Sequence, residues 1–421
     1  MAITHLILRN YRSFRHLDLR LDSFTVVVGA NSSGKSNLVS AIRFLVLAGQ
    51  GGLAHAIRLN GGFRGIINAR ASHPEVVFEV TTVNRTDFET GVSISRSNKT
   101  VRSQAWATAR YRLRIKVLTN PNRAKVVSEN LLVTYTRGSG KVTSGKPQTN
   151  AEVIGGIELA RRRSRIEYRT VGGAALPPTL TNGMRILQSL PELPLGESVT
   201  MLEYPITRPL VGASLPDVFS SAFYDLEPKK ERDESVPLGA PVLRVDGANL
   251  AYVVQAILED PERKSRFVHL IQNYLPFVRD IRVSEIGNLL QLGVRERGSG
   301  VRYFPPANVS DGTLNVISLV ALMHFERRPL IVVEEVERGI HPKLFSKLVE
   351  GLRALSEEEQ VILTTHNPEV VRYAGLENLV LLSRGKSGDT LATRPRDSQR
   401  VRDFLKNDLG VSDLFITDQL G

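Results

Sequence analysis

Leu17, Leu19 and Leu21 alternate with Asp18, Arg20 and Asp22, the period of a strand with one buried face. Residues 24–28 follow as an unbroken apolar run, the pattern of a strand covered on both sides. After a glycine-rich turn, Leu38, Val39, Ile42, Leu45 and Val46 recur at helical spacing, which predicts a helix over 36–47. Residues 49–65 are rich in glycine and read as loop. Residues 76–136 carry repeated short alternations; Tyr111, Leu113 and Ile115 interleave with Arg112, Arg114 and Lys116, so an antiparallel sheet is expected there, with a polar hairpin tip at 138–149. Residues 176–241 show no sustained period and read as an irregular insertion with some helix. A helical pattern returns over 248–275 and is stopped by Pro276. Strands are expected at 281–283 and 289–294, and a helix follows Asp311 with Leu314, Val316, Ile317, Leu319, Val320 and Leu322 on it. Short apolar strands at 330–333, 361–364 and 379–382 then sandwich a helix over 341–355. The sum is an α/β chain without the heptads of a long coiled-coil arm.

At 421 residues the chain exceeds one average domain. Three segments are expected: 1–85 as the first part of a core, 86–240 as a basic, β-rich region with an irregular insertion, and 241–421 as the second part of the core. The 42% hydrophobic content is that of a globular protein, and no apolar run of about 18 residues predicts a membrane span. The first ten residues lack the marks of a signal peptide. Cysteine is absent, which excludes disulfides and thiolate-held zinc. A cytoplasmic location fits both features. Lysine and arginine number 55 against 43 acids, a net charge of +12. Such an excess favours polyanion partners such as nucleic acid, and serves solubility equally well. Its distribution is regional: between residues 92 and 150 the sole acid is Glu129, against Arg96, Lys99, Arg102, Arg110, Arg112, Arg114, Lys116, Arg123, Lys125, Arg137, Lys141 and Lys146.

Chemistry concentrates at the strand ends. Gly29, Ala30, Asn31, Ser32, Ser33, Gly34, Lys35 and Ser36 match the phosphate-loop pattern in full, between a buried strand and a helix. The glycines let backbone amides turn toward a phosphate, and the helix N-terminus adds partial positive charge. Lys35 can reach the terminal phosphates of ATP, Ser36 can ligate Mg²⁺, and Asn37 follows in the first helical turn. The apolar strand at 330–333 ends in Glu334 and Glu335. Glu334 is assigned to Mg²⁺ and Glu335 to activating water, although two acids at a strand end can equally be rim charges. The strand at 361–364 ends in Thr365, His366, Asn367 and Pro368, where His366 could bind a γ-phosphate and hold the attacking water. Ser310, Asp311, Gly312 and Thr313 open a helix. Alone this string is a helix cap, whereas before the acidic strand Ser310 and Gly312 could present a hydroxyl and an amide to phosphate.

In order and spacing these pieces resemble the ATP-binding-cassette (ABC) ATPases of the SMC, Rad50 and RecF branch. More narrowly, they resemble the ATPase half of OLD-family (overcoming lysogenization defect) proteins and related antiphage ATPases. The opening Leu8-Arg9-Asn10-Tyr11-Arg12-Ser13-Phe14 carries part of the resemblance. So do the phosphate loop with Asn31, the Ser310–Thr313 signature, the acidic strand followed by Glu337, Gly339, His341 and Pro342, and the string from Thr364 to Pro368. It covers roughly residues 1–47 and 245–385. The chain departs from it in having Glu334 where most cassette ATPases have aspartate, and Val336 where proline is usual. Gln50 is a positional candidate for the glutamine loop.

The resemblance implies an ABC-ATPase head with a mixed phosphate-loop sheet, an antiparallel β subdomain and a helical or irregular insertion. It also implies a homodimer or higher oligomer, in which Ser310 and Gly312 of one subunit close over ATP held by Lys35 of the other, with Arg12 touching the nucleotide. The 55 residues after His366 are too few for the nuclease domain that OLD proteins carry, and Asp403, Asp408 and Asp413 read as solvated charges. A separate effector protein, such as a nuclease, is therefore expected. A RecF-like repair ATPase acting on DNA directly is a second reading. A nonhydrolytic nucleotide-gated scaffold is a third, and the energising subunit of a transporter a fourth, disfavoured by the opening and signature motifs.

Overall fold

Among the described residues the apolar patterns fold as fifteen strands: β1 (Ala2–Tyr11), β2 (Phe14–Arg20), β3 (Phe24–Val28), β4 (Glu75–Thr90), β5 (Val101–Val117), β6 (Ala124–Arg137), β7 (Glu152–Arg162), β8 (Arg165–Val171), β9 (Ala222–Tyr224), β10 (Val278–Ile286), β11 (Leu289–Glu296), β12 (Leu330–Val333), β13 (Gln360–Thr365), β14 (Leu379–Arg384) and β15 (Thr390–Thr393). The structure, a computed structural model, describes residues 2–90, 101–117, 124–137, 152–163, 165–172, 195–203 and 220–397. The expected hairpin tip at 138–149 and the acids Asp403, Asp408 and Asp413 lie outside the described residues, as does most of the irregular segment 176–241. The chain divides into two units. The first comprises Met1–Ser23, Ala30–Ser221 and Leu382–Thr393; the second comprises Phe24–Gly29, Ala222–Leu381 and Arg394–Gly421.

The first unit is built on a sheet in the order β2-β1-β4-β5-β6-β7-β8, antiparallel throughout. Tyr111, Leu113 and Ile115 point inward and are buried, while Arg110, Arg112, Arg114 and Lys116 face water. Tyr11, Phe44 and Phe78 pack on one side of it, with Phe44 and Phe78 stacked at 4.7 Å. The sheet extends past the expected end at 136 through β7 and β8. β8 is exposed along nearly its whole length, so it carries no inside-outside alternation to read.

The expected loop over 49–65 is instead helical. The helix Lys35–Gly51 is followed by short helices Leu53–Leu59 and Gly62–Ile66. The glycines fall at the breaks, where Gly52 and Gly61 take positive φ, and Leu53, Ala56, Ile57, Phe63 and Ile66 are buried between them. Glu203 receives the Leu53 amide at 3.2 Å, placing an acid at a helix start, where the dipole favours it.

In the second unit β14, β3, β13, β12 and β9 lie side by side and parallel. Every residue of β3, β12 and β13 is buried, as the unbroken apolar runs predict. The helix Asp311–Phe325 is buried nearly all round, and Leu314, Val316, Ile317, Leu319, Val320 and Leu322 join the core of this unit. At about 1.5–3 kcal/mol for each large apolar side chain buried, this helix is a main anchor of the unit. The helix expected over 248–275 is two helices, Leu250–Leu258 and Pro261–Tyr274. Asp260 accepts the amides of Glu262 and Arg263 and restarts the chain with Pro261 in the first turn. No helix among the described residues is long and apolar enough to cross a membrane.

Candidate active site

β3 delivers the chain to the phosphate loop, and the helix Lys35–Gly51 begins where the loop ends. Gly34 has φ 111, and a Cβ there would meet Thr390 Oγ1 at 2.5 Å, so position 34 admits only glycine. Ser32 also takes positive φ. The loop is clamped from behind through its carbonyls. Thr390 Oγ1 donates to Ser33 O (2.9 Å), Arg384 Nε to Ser32 O (2.8 Å), and the Ser33 amide to Ala30 O (3.1 Å). Asn37 Nδ2 donates to Ser13 Oγ at 2.8 Å.

A helix start turns its first backbone amides outward, toward where an anion would lie. The donor set fits a phosphate: the Ser33 hydroxyl is buried without a hydrogen-bond partner among the described residues, and Lys35, only 7% exposed, bends its ammonium onto Ala30 O at 3.1 Å. Asn31 and Ser36 are exposed. Arg12, also at positive φ, is turned to other partners. Its Nε donates to Gly65 O (2.9 Å) and its other arm to Asn60 Oδ1 (3.1 Å).

In the second unit three parallel strands run to one edge of the sheet, β12 stopping two residues short of β13. Val28 pairs with Thr365, and Val333 with Leu363. Gly29, Glu334 and His366 therefore emerge at one edge, the carboxyl end of a parallel sheet, where such folds bind ligands. Glu334 is half-buried, and its amide donates to Tyr224 O at 2.8 Å. Glu335 takes positive φ and donates its amide to Thr364 Oγ1 at 3.1 Å. Its Oε2 accepts from Arg338 at 2.8 and 3.3 Å. His366 is exposed, but its seat is fixed: buried Glu337 accepts from Thr365 Oγ1 (2.8 Å) and the His366 amide (3.0 Å), and lies 3.3 Å from the ring Nδ1. A carboxylate behind an imidazole orients the ring and leaves Nε2 to face outward.

Ser310 caps the helix Asp311–Phe325, its Oγ accepting the Thr313 amide at 3.2 Å. Gly312 has a second reason to be glycine: a Cβ there would come within 2.4 Å of Gly339 O. Asn315 Nδ2 donates to Arg338 O, and Asp311 pairs with Arg232. The signature and the turn after the acidic strand are thus packed backbone to backbone. Gly312→Ala is expected to cost about 1–3 kcal/mol of stability by overpacking. Urea unfolding measures this, and an unchanged midpoint would refute the contact.

The sequence motifs contain Glu337 and Thr364 without giving either a task, and Arg338 and Thr390 were missed. The first three lie within motifs but gain their roles only from side-chain direction. Thr390 is brought to Ser33 from 357 positions away, and no local signal marks it.

The basic strand looks different with neighbours in view. Arg110 and Arg112 lie 3.9 and 3.6 Å from Glu79 on β4, Arg114 pairs with Glu75, and Lys125 with Glu197 at 2.6 Å. Counting charges along one segment cannot see these cross-strand acids. Arg96, Lys99, Arg123, Lys141 and Lys146 lie outside the described residues. Glu129 is buried and accepts from Tyr111 Oη (2.6 Å) and the Met201 amide (2.8 and 2.7 Å). Burial pushes its carboxyl from about 4.5 up to about 7, against the pull of those hydrogen bonds. With the folded value raised, its stabilisation is complete below about pH 4.5 and is lost as pH rises through about 7. Glu129→Gln, which cannot ionise, should therefore gain on the parent protein between pH 5 and pH 8, on the order of 1–3 kcal/mol. A difference that stays flat in denaturation at the two pH values would contradict the assignment.

Residues 244–372 match the family model described as "AAA domain, putative AbiEii toxin, Type IV TA system". Residues 1–100 match the model described as "AAA ATPase domain". A stretch of 49 residues, 11% of the chain, is 45% identical to the DNA replication and repair protein RecF of Bacillus mycoides (strain KBAB4), and covers 13% of that protein. Among solved structures, the chain aligns over 93% of its length with an SMC head bound to the C-winged helix domain of ScpA, covering 97% of that chain at 14% identity and a TM-score of 0.44. It aligns over 94% with the SMC head domain from Thermotoga maritima, covering 99% of that chain at 14% identity and a TM-score of 0.38.

Proposed function

We propose that this chain, an ABC-type ATPase of the SMC, Rad50 and RecF branch, hydrolyses Mg²⁺-bound ATP with Glu335 as general base. We further propose that it does so as a homodimer or higher oligomer closed around ATP, acting as a sensor or scaffold that controls a separate effector protein in antiphage defence. The observation that carries the catalytic part is the parallel pairing of β12 and β13, with Glu335 just beyond one strand and His366, seated on Glu337, just beyond the other. The toxin–antitoxin wording of the matching family description supports the defence setting.

Each residue has a role in this reading. Gly29, Asn31, Ser32, Ser33 and Gly34 shape the loop, its amides bind phosphate, and Asn37 ties the helix start to Ser13. Lys35 neutralises the terminal phosphates. Ser36 offers a hydroxyl and Glu334 a carboxylate, hard oxygen donors of the kind Mg²⁺ takes; when bound, that ion would neutralise charge developing on the phosphate. Glu335 takes the proton of the attacking water, and His366 holds that water by its outward nitrogen. Ser310 and Gly312 serve the ATP of a neighbouring subunit, and Arg12 would have to leave Asn60 and Gly65 to reach a nucleotide. Steady-state ATP hydrolysis with and without duplex DNA, alongside light scattering with and without ATP, tests the reading. Absence of both turnover and ATP-dependent association would sink it.

The RecF match favours a second reading, a repair ATPase that binds DNA itself. Reversing Arg110, Arg112 and Arg114 to glutamate is expected to weaken duplex binding and flatten its salt dependence. Unchanged affinity in a salt titration would mean that this basic row only faces water and its paired acids.

A further inference from the structure

Arg338 lies on the turn that follows the acidic strand, and its guanidinium ends on three groups. It donates to Glu335 Oε2 at 2.8 and 3.3 Å and to Leu226 O at 3.0 Å, and it contacts Asp225 Oδ1 at 2.7 Å. Asp225 and Leu226 directly follow β9, the strand paired in parallel with β12. The Asp225 amide is itself held by Val245 O at 2.8 Å. Each side chain of the trio is roughly a third to two-fifths exposed. An ion pair so exposed adds little to stability. Nor does the turn depend on it. Its backbone is already fixed by the Arg338 amide on Glu335 O (2.9 Å), the Ile340 amide on Glu337 O (3.1 Å), the Glu335 amide on Thr364, and the Gly312–Gly339 contact. What the guanidinium does determine is the direction of one carboxylate. With Oε2 pinned by two N–H groups of a planar fork, the plane of the Glu335 carboxylate is set, and with it the direction of Oε1.

We infer that Arg338, braced by Asp225 and Leu226 O, is a positioning residue that aims the Glu335 carboxylate at the attacking water. The inference rests on the reading of Glu335 as the base. The arrangement runs from a fixed strand end through a planar cation to the carboxylate it holds. Misplacing a reacting group by about 1 Å can cost about 10²-fold in rate, so loss of the fork should appear in the chemical step and not in nucleotide affinity.

The test uses the full-length protein in single-turnover ATP hydrolysis, with nucleotide affinity measured separately. Arg338→Met keeps the volume and removes the fork. It should lower the single-turnover rate by about 10–100-fold with ATP affinity within about 2-fold. Millimolar guanidinium should restore part of the Arg338→Ala rate, a rescue that a merely structural lesion would not show. Asp225→Asn, which leaves Arg338 in place but loosens its brace, should show a smaller loss in the same parameter. On a Glu335→Gln background, Arg338→Met should remove nothing further. A normal rate in Arg338→Met beside an inactive Glu335→Gln would overturn the inference and leave the base standing. A normal rate in Glu335→Gln would overturn the base itself. A loss confined to ATP affinity, or a full additional loss on the Glu335→Gln background, would also overturn the positioning role.

Discussion

Glu335→Gln is expected to lower the rate of ATP hydrolysis by about 10²–10⁴-fold, the contribution of a general base, while ATP binding stays within about 2-fold of the parent. Glutamine keeps the size and an oxygen for the Arg338 fork, so the turn that holds position 335 keeps its hydrogen bonds. It loses only the ability to take a proton from water. The variant should therefore accumulate in the ATP-bound, associated state, which light scattering with ATP reads directly. A variant that hydrolyses at the parent rate would remove Glu335 from the mechanism. One that fails to bind ATP would show that this side chain serves the site's shape.

Lys35→Ala should have the opposite signature. Lys35 is nearly buried, and its ammonium donates to the carbonyl of Ala30 in its own loop. On the proposed reading its removal takes a positive charge away from the triphosphate without disturbing the clamp formed by Thr390 and Arg384. ATP affinity should fall roughly 100-fold, near 2.8 kcal/mol at about 1.4 kcal/mol per decade. The rise in melting temperature that ATP gives the parent protein should vanish at the same nucleotide concentration. A thermal shift equal to the parent's would exclude Lys35 from the site.

How much of this was legible beforehand follows from what each residue's role depends on. β3, β12 and β13 are apolar on both faces, so their sequences identify them alone. The motifs at their ends then fall at one edge because the strands run parallel, although β12 stops two residues short of β13. The helices Leu53–Leu59 and Gly62–Ile66 were hidden by the glycines that separate them, since glycine at a helix end and glycine in a loop read alike. β8 was hidden because neither face is consistently buried. The basic row on β5 was legible as residues but not as charge, because Glu75 and Glu79 stand on the neighbouring strand. Glu337 was visible as a letter in a motif; that it seats His366 depends on a χ angle, which no spacing reveals.

The backbone contact between Gly312 and Gly339 carries a consequence for how the second unit opens. The amides of Thr313 and Leu314 bond to Ser310 O, while those of Arg338 and Ile340 bond to Glu335 O and Glu337 O. The Asn315 side chain ties the two groups together. Neither turn can unwind without unseating the other, so the two behave as one cooperative patch in the sense of local unfolding. In deuterium exchange their amides should report one common free energy of opening although they are distant in sequence. A ligand that quiets Ser310 should slow exchange at Arg338 and Ile340 as well, giving the site a way to register at the base what has been bound at the signature.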